Sequence, residues 1–156
     1  MPKTDYYDDP AAPRANSLVV AVTAVVLDDA GRVLLIQRTD NELWAVPGGA
    51  QDVGETSTEA AVREVREETG LDVEVTGLVG IYSDPRHVIT YDDGEVRQEF
   101  SLCFRARPIR GQLTPSSESK QVHWVEPDHL DKLNIHPCVR LRIEHGLQPR
   151  PQPYLS

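Results

Sequence analysis

Seven residues at fixed spacing carry the chemistry in this sequence: Gly49, Glu55, Arg63, Glu64, Glu67, Glu68 and Gly70, all within GAQDVGETSTEAAVREVREETGL. With Val65 and Leu71 they read G-x5-E-x7-R-E-V-x-E-E-x-G-L. Carboxylates at 64, 67 and 68 stand at i, i+3 and i+4, the spacing that sets side chains side by side on a helix. Like charges so placed repel, by roughly 0.2–0.5 kcal/mol per pair on an exposed helix, so something must compensate. A divalent cation does this, and an all-oxygen donor set selects a hard ion, Mg²⁺ or Mn²⁺. Such an ion keeps several waters and takes phosphate oxygens as further ligands. Arg63, four residues before Glu67 and next to Glu64, is placed to brace the acids. A merely solvated charged face is the competing reading; the flanking glycines and Arg63 at fixed spacing weigh against it.

These residues need a frame. Thr56 with Glu59 three positions on makes a capping box, and Gly70 is the residue type that ends a helix, so residues 56–69 are predicted as one helix. Ala61, Val62, Val65 and Thr69 form its apolar stripe, with the three glutamates expected on a separate arc. Glu55 precedes the helix, where a turn at Gly48-Gly49 would bring a backbone carbonyl and a fourth carboxylate toward the same ion. Strands are expected at 17–27 and 33–38, joined by a hairpin-type turn at Asp28-Asp29-Ala30-Gly31. Further strands follow at 73–82, 95–106 and 121–126, with Asp92-Asp93-Gly94 as a turn, and short helices at 127–130 and 137–145. Residues 1–16 read as a flexible N-terminal tail and 148–156 as a Pro-rich C-terminal tail, leaving one domain at 17–147.

Composition sets bounds. A chain of 156 residues, 39% hydrophobic and 26% charged, suits one domain with a sizeable core. The formal charge of −9 argues against DNA or RNA as partner, since a nucleic-acid surface carries a basic stripe. Cys103 and Cys138 are too few for a disulfide framework and are expected as buried fillers. No secretory leader is evident, and no apolar run approaches the ~18 residues that span a membrane. A soluble cytoplasmic protein is the expectation. His123, His129, His136 and His145 show no metal-ligand spacing.

The 23-residue segment resembles a complete Nudix box, the signature of the Nudix hydrolase (MutT-like) superfamily, with no fixed position departing from it. Trp44-Ala45-Val46-Pro47-Gly48-Gly49 is similar to the family's W-x-x-P-G-G approach, and Val122-His123-Trp124-Val125 to its tryptophan-containing strand. The resemblance implies a single-domain α/β fold, an α/β/α sandwich around a mixed β-sheet. It also implies Mg²⁺- or Mn²⁺-dependent hydrolysis of a small-molecule nucleotide, a nucleoside diphosphate linked to a moiety X. By resemblance, Glu64 is the base, oriented by Arg63, and Glu64, Glu67, Glu68, Glu55 and Gly49 are the metal site. Other members use a loop carboxylate as base; Glu118, six positions before Trp124, is the rival here, unless it is simply an exposed loop acid.

Substrate contacts are expected from Arg38, Trp44, Arg86 and Tyr91, each of which packing or surface exposure would also explain. Pro85, fourteen residues after Leu71, is similar in placement to a proline of ADP-ribose-cleaving members and leans the reading toward ADP-ribose or a nucleotide sugar. The alternatives are an oxidised nucleoside triphosphate as substrate and a non-catalytic nucleotide sensor. A homodimer is compatible with all of these.

Overall fold

Val33-Leu34-Leu35-Ile36 offers no polar residue to turn outward, and the computed structural model, which describes residues 3–156, buries all four side chains completely. Along the chain run β1 (Lys3–Tyr7), β2 (Ser17–Val26), β3 (Val33–Arg38), β4 (Trp44–Ala45), β5 (Gly48–Ala50) and α1 (Ser57–Thr69). Then come β6 (Leu71–Tyr82), β7 (His87–Tyr91), β8 (Val96–Gly111), β9 (Ser119–Val125), α2 (Pro137–Leu147) and β10 (Tyr154–Leu155). Successive side chains of a strand face opposite ways. Leu34 and Ile36 of β3 therefore join one core with Val65 of α1, while Val33 and Leu35 join another with Ile143 of α2. Each such side chain, fully buried, contributes about 1.5–3 kcal/mol.

The larger sheet is organised by β8. It runs parallel to β2, from Ser17↔Arg97 to Val26↔Ala106, and antiparallel to β6 and β7. β5 extends the sheet beyond β2, β1 beyond β7, and β10 beyond β6. The smaller sheet is antiparallel, β4-β3-β9. Helix α1 covers one side through Ala60, Ala61 and Val65, and α2 the other. This is the α/β/α sandwich around a mixed sheet that the family resemblance implies. Among the described residues, no helix is long and apolar enough to cross a membrane.

The structure departs from the sequence reading at its edges. β2 and β3 do not form a hairpin: they enter different sheets and share only the bridge Leu27↔Val33. Their connection is closed locally instead, by Asp28 accepting the N–H groups of Ala30 and Arg32 and pairing with the Arg32 guanidinium at 2.7 Å. Gly48-Gly49 is a strand against β2, with Thr23↔Gly48 and Val22↔Gly49, rather than a turn. The segments read as tails contain β1, paired with β7, and β10, paired with β6. β8 continues five residues past the expected end at 106, and the short helix expected at 127–130 is a 3-10 helix over Pro127–Lys132. These short edge strands take their pairing from neighbours far along the chain, so their own residues show little alternation.

Candidate active site

Helix α1 starts and stops where its sequence dictates. Thr56 Oγ1 accepts the Glu59 N–H at 3.2 Å, and Glu59 Oε2 accepts the Thr56 N–H at 3.0 Å. Gly70 takes a left-handed φ of 82° and donates its N–H to the Arg66 carbonyl; a side chain there would strike the Gln112 carbonyl.

Between these caps the acids sort into two kinds. Glu64 and Glu68 lie on the packed face with Ala60, Ala61, Val65 and Thr69, not on a separate arc. Glu67 turns outward, its side chain 58% exposed. The packed face admits two carboxylates because β5 opposite it has no side chains at Gly48 and Gly49. A Cβ on Gly49 would lie 2.6 Å from Glu64 Oε1. Gly48 donates its N–H to Glu68 Oε1 at 3.0 Å.

Arg63 holds the remaining acids. It binds Glu55 through two bonds, Nε to Oε2 at 2.5 Å and Nη2 to Oε1 at 2.9 Å, and donates Nη1 to Glu64 Oε1 at 2.9 Å. Longer contacts reach Glu67 at 3.3 Å and the Ala50 carbonyl at 3.1 Å. The bidentate fork is geometry that arginine provides and lysine does not. The hydrogen bonds to Glu55, with those to Glu64, hold the guanidinium firmly charged. A fourth acid, Asp52, stands 3.6 Å from it, a partner the sequence reading did not single out.

Burial sets the charge state of the inner pair. Loss of water raises the Glu64 carboxyl, against the pull of Arg63. The same loss raises Glu68, helped by the Glu64 charge and opposed by the Gly48 N–H. Two neighbouring carboxylates taken out of water do not both stay ionised without a cation between or beside them. A divalent ion beside the pair would offset the cost of holding both charges, and every acceptor in reach is a hard oxygen. The residues present therefore fit Mg²⁺ or Mn²⁺.

Glu118 approaches from the loop before β9. Ser119 Oγ donates to the Glu68 carbonyl at 2.6 Å and the Thr114 N–H to the Thr69 carbonyl at 2.8 Å, so the loop caps open carbonyls at the end of α1. Glu118 itself is exposed. Its serine anchors were absent from the sequence reading, since nothing in Ser116 or Ser119 alone signals a partner 51 residues away.

Arg38, paired with Asp40, feels the charges of both the loop and the helix. Its two hydrogen bonds to Asp40, at 2.9 and 2.7 Å, hold it charged against burial, and the charges of Glu68 and Glu118 act in the same direction. Tyr91 feels Arg38 as well, but lies under the Arg97 guanidinium, 4.7 Å from its ring. Trp44 is half-buried in β4, packed on the second core and tilted over His123. Arg86 is not brought to the acids: it pairs with Asp84 and Asp8 and lines a recess of about 580 Å³ with Arg14, Pro85 and Gln98 that contains no residue of the α1 cluster. Cys103 is buried as expected, whereas Cys138 is only partly buried and accepts a hydrogen bond from Arg142.

Comparison with known proteins extends this picture. The NUDIX domain model matches residues 17–142. A "MutT-like protein" of Streptomyces ambofaciens is 39% identical over 113 residues, 72% of this chain and 67% of that protein. A "Putative 8-oxo-dGTP diphosphatase" of Bacillus subtilis is 33% identical, covering 68% and 65%. An "ADP-ribose pyrophosphatase" of Methanocaldococcus jannaschii is 38% identical, covering 73% and 65%. The chain thus spans about two thirds of the length of these curated relatives. Among solved structures, an ADP-ribose pyrophosphatase from Streptococcus suis shares the fold with a TM-score of 0.68 at 23% identity, covering 88% of this chain and 96% of that one.

Proposed function

The chain belongs to the Nudix hydrolase family, and on that premise we propose that it is a pyrophosphohydrolase. Its substrate is a nucleoside diphosphate linked to a second moiety, and its cofactor is Mg²⁺ or Mn²⁺. The observation that supports this most is the buried Glu64–Glu68 pair facing the bare backbone of Gly48-Gly49. Glu64, Glu67, Glu68, Glu55 and the Gly49 carbonyl are the proposed holders of the cation. When bound, the ion neutralises charge developing on the phosphoryl oxygens.

Glu64 takes the proton of the attacking water. Its carboxylate is aimed by Arg63 and by contact with Gly49, and a fixed direction is what general-base catalysis requires. Glu118 assists from the loop, with Ser119 fixing the loop's base. Of the four proposed substrate contacts, Arg38 has most support, as a phosphate ligand within the field of Glu68 and Glu118. Trp44 and Tyr91 come next, and Arg86 lines a recess that holds no residue of the cluster.

For the second moiety, the first reading is ADP-ribose or a nucleotide sugar, supported by the name of the M. jannaschii relative and by the Pro85 turn. An oxidised nucleoside triphosphate is the second reading, supported by the name of the B. subtilis relative. A nucleotide panel with Mg²⁺, scored by product identity, separates them. ADP-ribose should give AMP and ribose phosphate, whereas a triphosphate should give a monophosphate and pyrophosphate. Chelation should abolish turnover and either ion restore it; full turnover in metal-free enzyme would overturn the metal assignment. Binding without turnover across the panel would favour a sensor.

A further inference from the structure

Away from α1, ligand-type side chains meet where β1, β7 and α2 join. His87 opens β7, His136 caps α2, Cys138 lies in its first turn, and Asp5 sits in the middle of β1. One nitrogen of each imidazole and the Cys138 Sγ lie within 4.8 Å of one another. The two rings stack with centroids 5.6 Å apart and planes 9° from parallel, and Tyr7 meets both edge-on. Asp5 faces the same edge of both rings: Oδ1 is 2.9 Å from His87 Nε2, and Oδ2 is 3.7 Å from His136 Nε2.

Proton bookkeeping follows from that carboxylate. An ionised carboxylate only accepts, so Asp5, at 2.9 Å, selects the His87 tautomer with hydrogen on Nε2 and a lone pair on Nδ1. In His136 the Cys138 N–H, donated to Nδ1 at 3.2 Å, sets the same tautomer, and a metal on that nitrogen would take the place of this hydrogen bond. A histidine whose second N–H rests on a carboxylate is the arrangement by which proteins orient metal-binding imidazoles. We propose that His87, His136 and Cys138 form a binding site for a borderline-soft transition-metal cation, Zn²⁺ in particular, with Asp5 as the carboxylate that orients the His87 imidazole and adds negative charge beside His136.

Donor chemistry, space and charge support the assignment. Imidazole and thiolate select Zn²⁺ and its neighbours over Mg²⁺, so the α1 acids and this corner do not compete for one ion. Tetrahedral Zn²⁺ places its ligands roughly 3.3–3.8 Å apart, given bond lengths of about 2.0–2.3 Å. Small side-chain rotations close the present separations by about 1 Å. An adjoining cavity of about 40 Å³, lined by Tyr7, His87, Cys138 and Arg142 among others, has room for one water as fourth ligand. Burial pushes the Cys138 thiol up, and Arg142, which opposes a cation, works against that by donating to Sγ at 3.5 Å, toward the thiolate that a metal requires. Asp5, Asp84 and Glu99 face the cluster as carboxylates; Lys3 and Arg86 lie at its periphery, Arg86 already paired with Asp84. Counted with the thiolate, the surroundings are net negative.

The test uses the full chain, stripped with chelator, reduced, and titrated with Co²⁺ as the spectroscopic stand-in. One equivalent should produce a thiolate-to-cobalt charge-transfer band with the absorption of a tetrahedral ion, and one equivalent of Zn²⁺ should bleach it. The band should vanish in Cys138→Ser and persist in Cys103→Ser. His87→Gln, His136→Gln and Asp5→Asn should each weaken binding about tenfold or more, with circular dichroism confirming that each variant is folded. A Glu64→Gln/Glu68→Gln double variant should retain the band. A wild-type protein without the band, or a band that survives Cys138→Ser, overturns the proposal even if that serine variant proves unstable, because the wild-type titration stands alone.

Discussion

The acidic cluster on α1 and the imidazole–thiol corner both gather titratable groups around one point, yet they are held by different means. Glu55, Arg63, Glu64, Glu67 and Glu68 lie within one short stretch, and their brace, Arg63, belongs to the same helix. A helix capped at both ends sets their spacing, and β5, only a few residues before it in the chain, closes over Glu64 and Glu68. Asp5 and His87 lie 82 residues apart, and His136 comes from a third element. Remove the β1–β7 pairing and that corner no longer exists. Local geometry thus secures the hard-oxygen cluster, whereas tertiary contact alone secures the nitrogen–sulfur one. Variants in the first region should alter chemistry with the fold intact, and variants in the second should alter fold stability and metal content with chemistry intact.

The largest effect expected is in the first region. Glu64→Gln keeps the size of the side chain and removes its charge, and turnover at saturating metal and substrate should fall by about 10²–10⁴-fold, the usual worth of a general base. Glu118→Gln should cost about tenfold or less if the loop carboxylate only assists. If Glu118→Gln proves the more severe change, the base belongs to the loop, and local geometry does not secure the chemistry after all.

A smaller effect should follow from adding one carbon. In Gly49→Ala the new Cβ meets Glu64 Oε1 at 2.6 Å, and Glu64 is already held by Arg63, so the carboxylate must move. We expect Mg²⁺ affinity to fall by about tenfold or more, as when a metal ligand loses its orienting partner. Gly77→Ala is the control, because nothing lies within 4 Å of a Cβ there. Equal metal dependence in the two variants would show that Glu64 yields freely and that the close approach of β5 is incidental.

The same division governs what could be read from the sequence. Helix α1 was legible to the residue because Thr56, Glu59 and Gly70 write its ends and act within a few positions of themselves. The buried strand β3 was legible from its unbroken apolar run. The inward turn of Glu64 and Glu68 was not, since it depends on the bare backbone of β5 packing opposite, and polar residues at helical spacing otherwise read as a solvated face. β1 and β10 were missed because short edge strands take their hydrogen bonds from distant partners. His136 and Cys138 showed no ligand spacing for the same reason: the remaining imidazole and its carboxylate come from β7 and β1. Arg86, read from the sequence as a substrate contact, pairs with Asp84 within its own turn.

The smallest effect belongs to Asp5→Asn, and it tests the contrast most sharply because both regions are measured at once. Without transition metal, the change replaces one charged acceptor at a partly exposed site, worth about 1 kcal/mol, or about 2–4 °C in melting temperature for a domain of this size. Hydrolysis with Mg²⁺ should stay at the wild-type rate, since no contact joins Asp5 to the α1 acids. Adding Zn²⁺ at a hundred times its dissociation constant should stabilise the wild-type protein by about 2.7 kcal/mol through binding to the folded state alone. A variant whose affinity is tenfold lower gains about 1.4 kcal/mol less. The gap between the two melting temperatures should therefore widen when Zn²⁺ is added and stay narrow with Mg²⁺. A gap of the same width under both ions would reduce Asp5 to a hydrogen-bonding partner of His87. A loss of hydrolysis in the variant would mean that the corner and the helix cluster are coupled, and that the site on α1 draws on more than its own helix for its geometry.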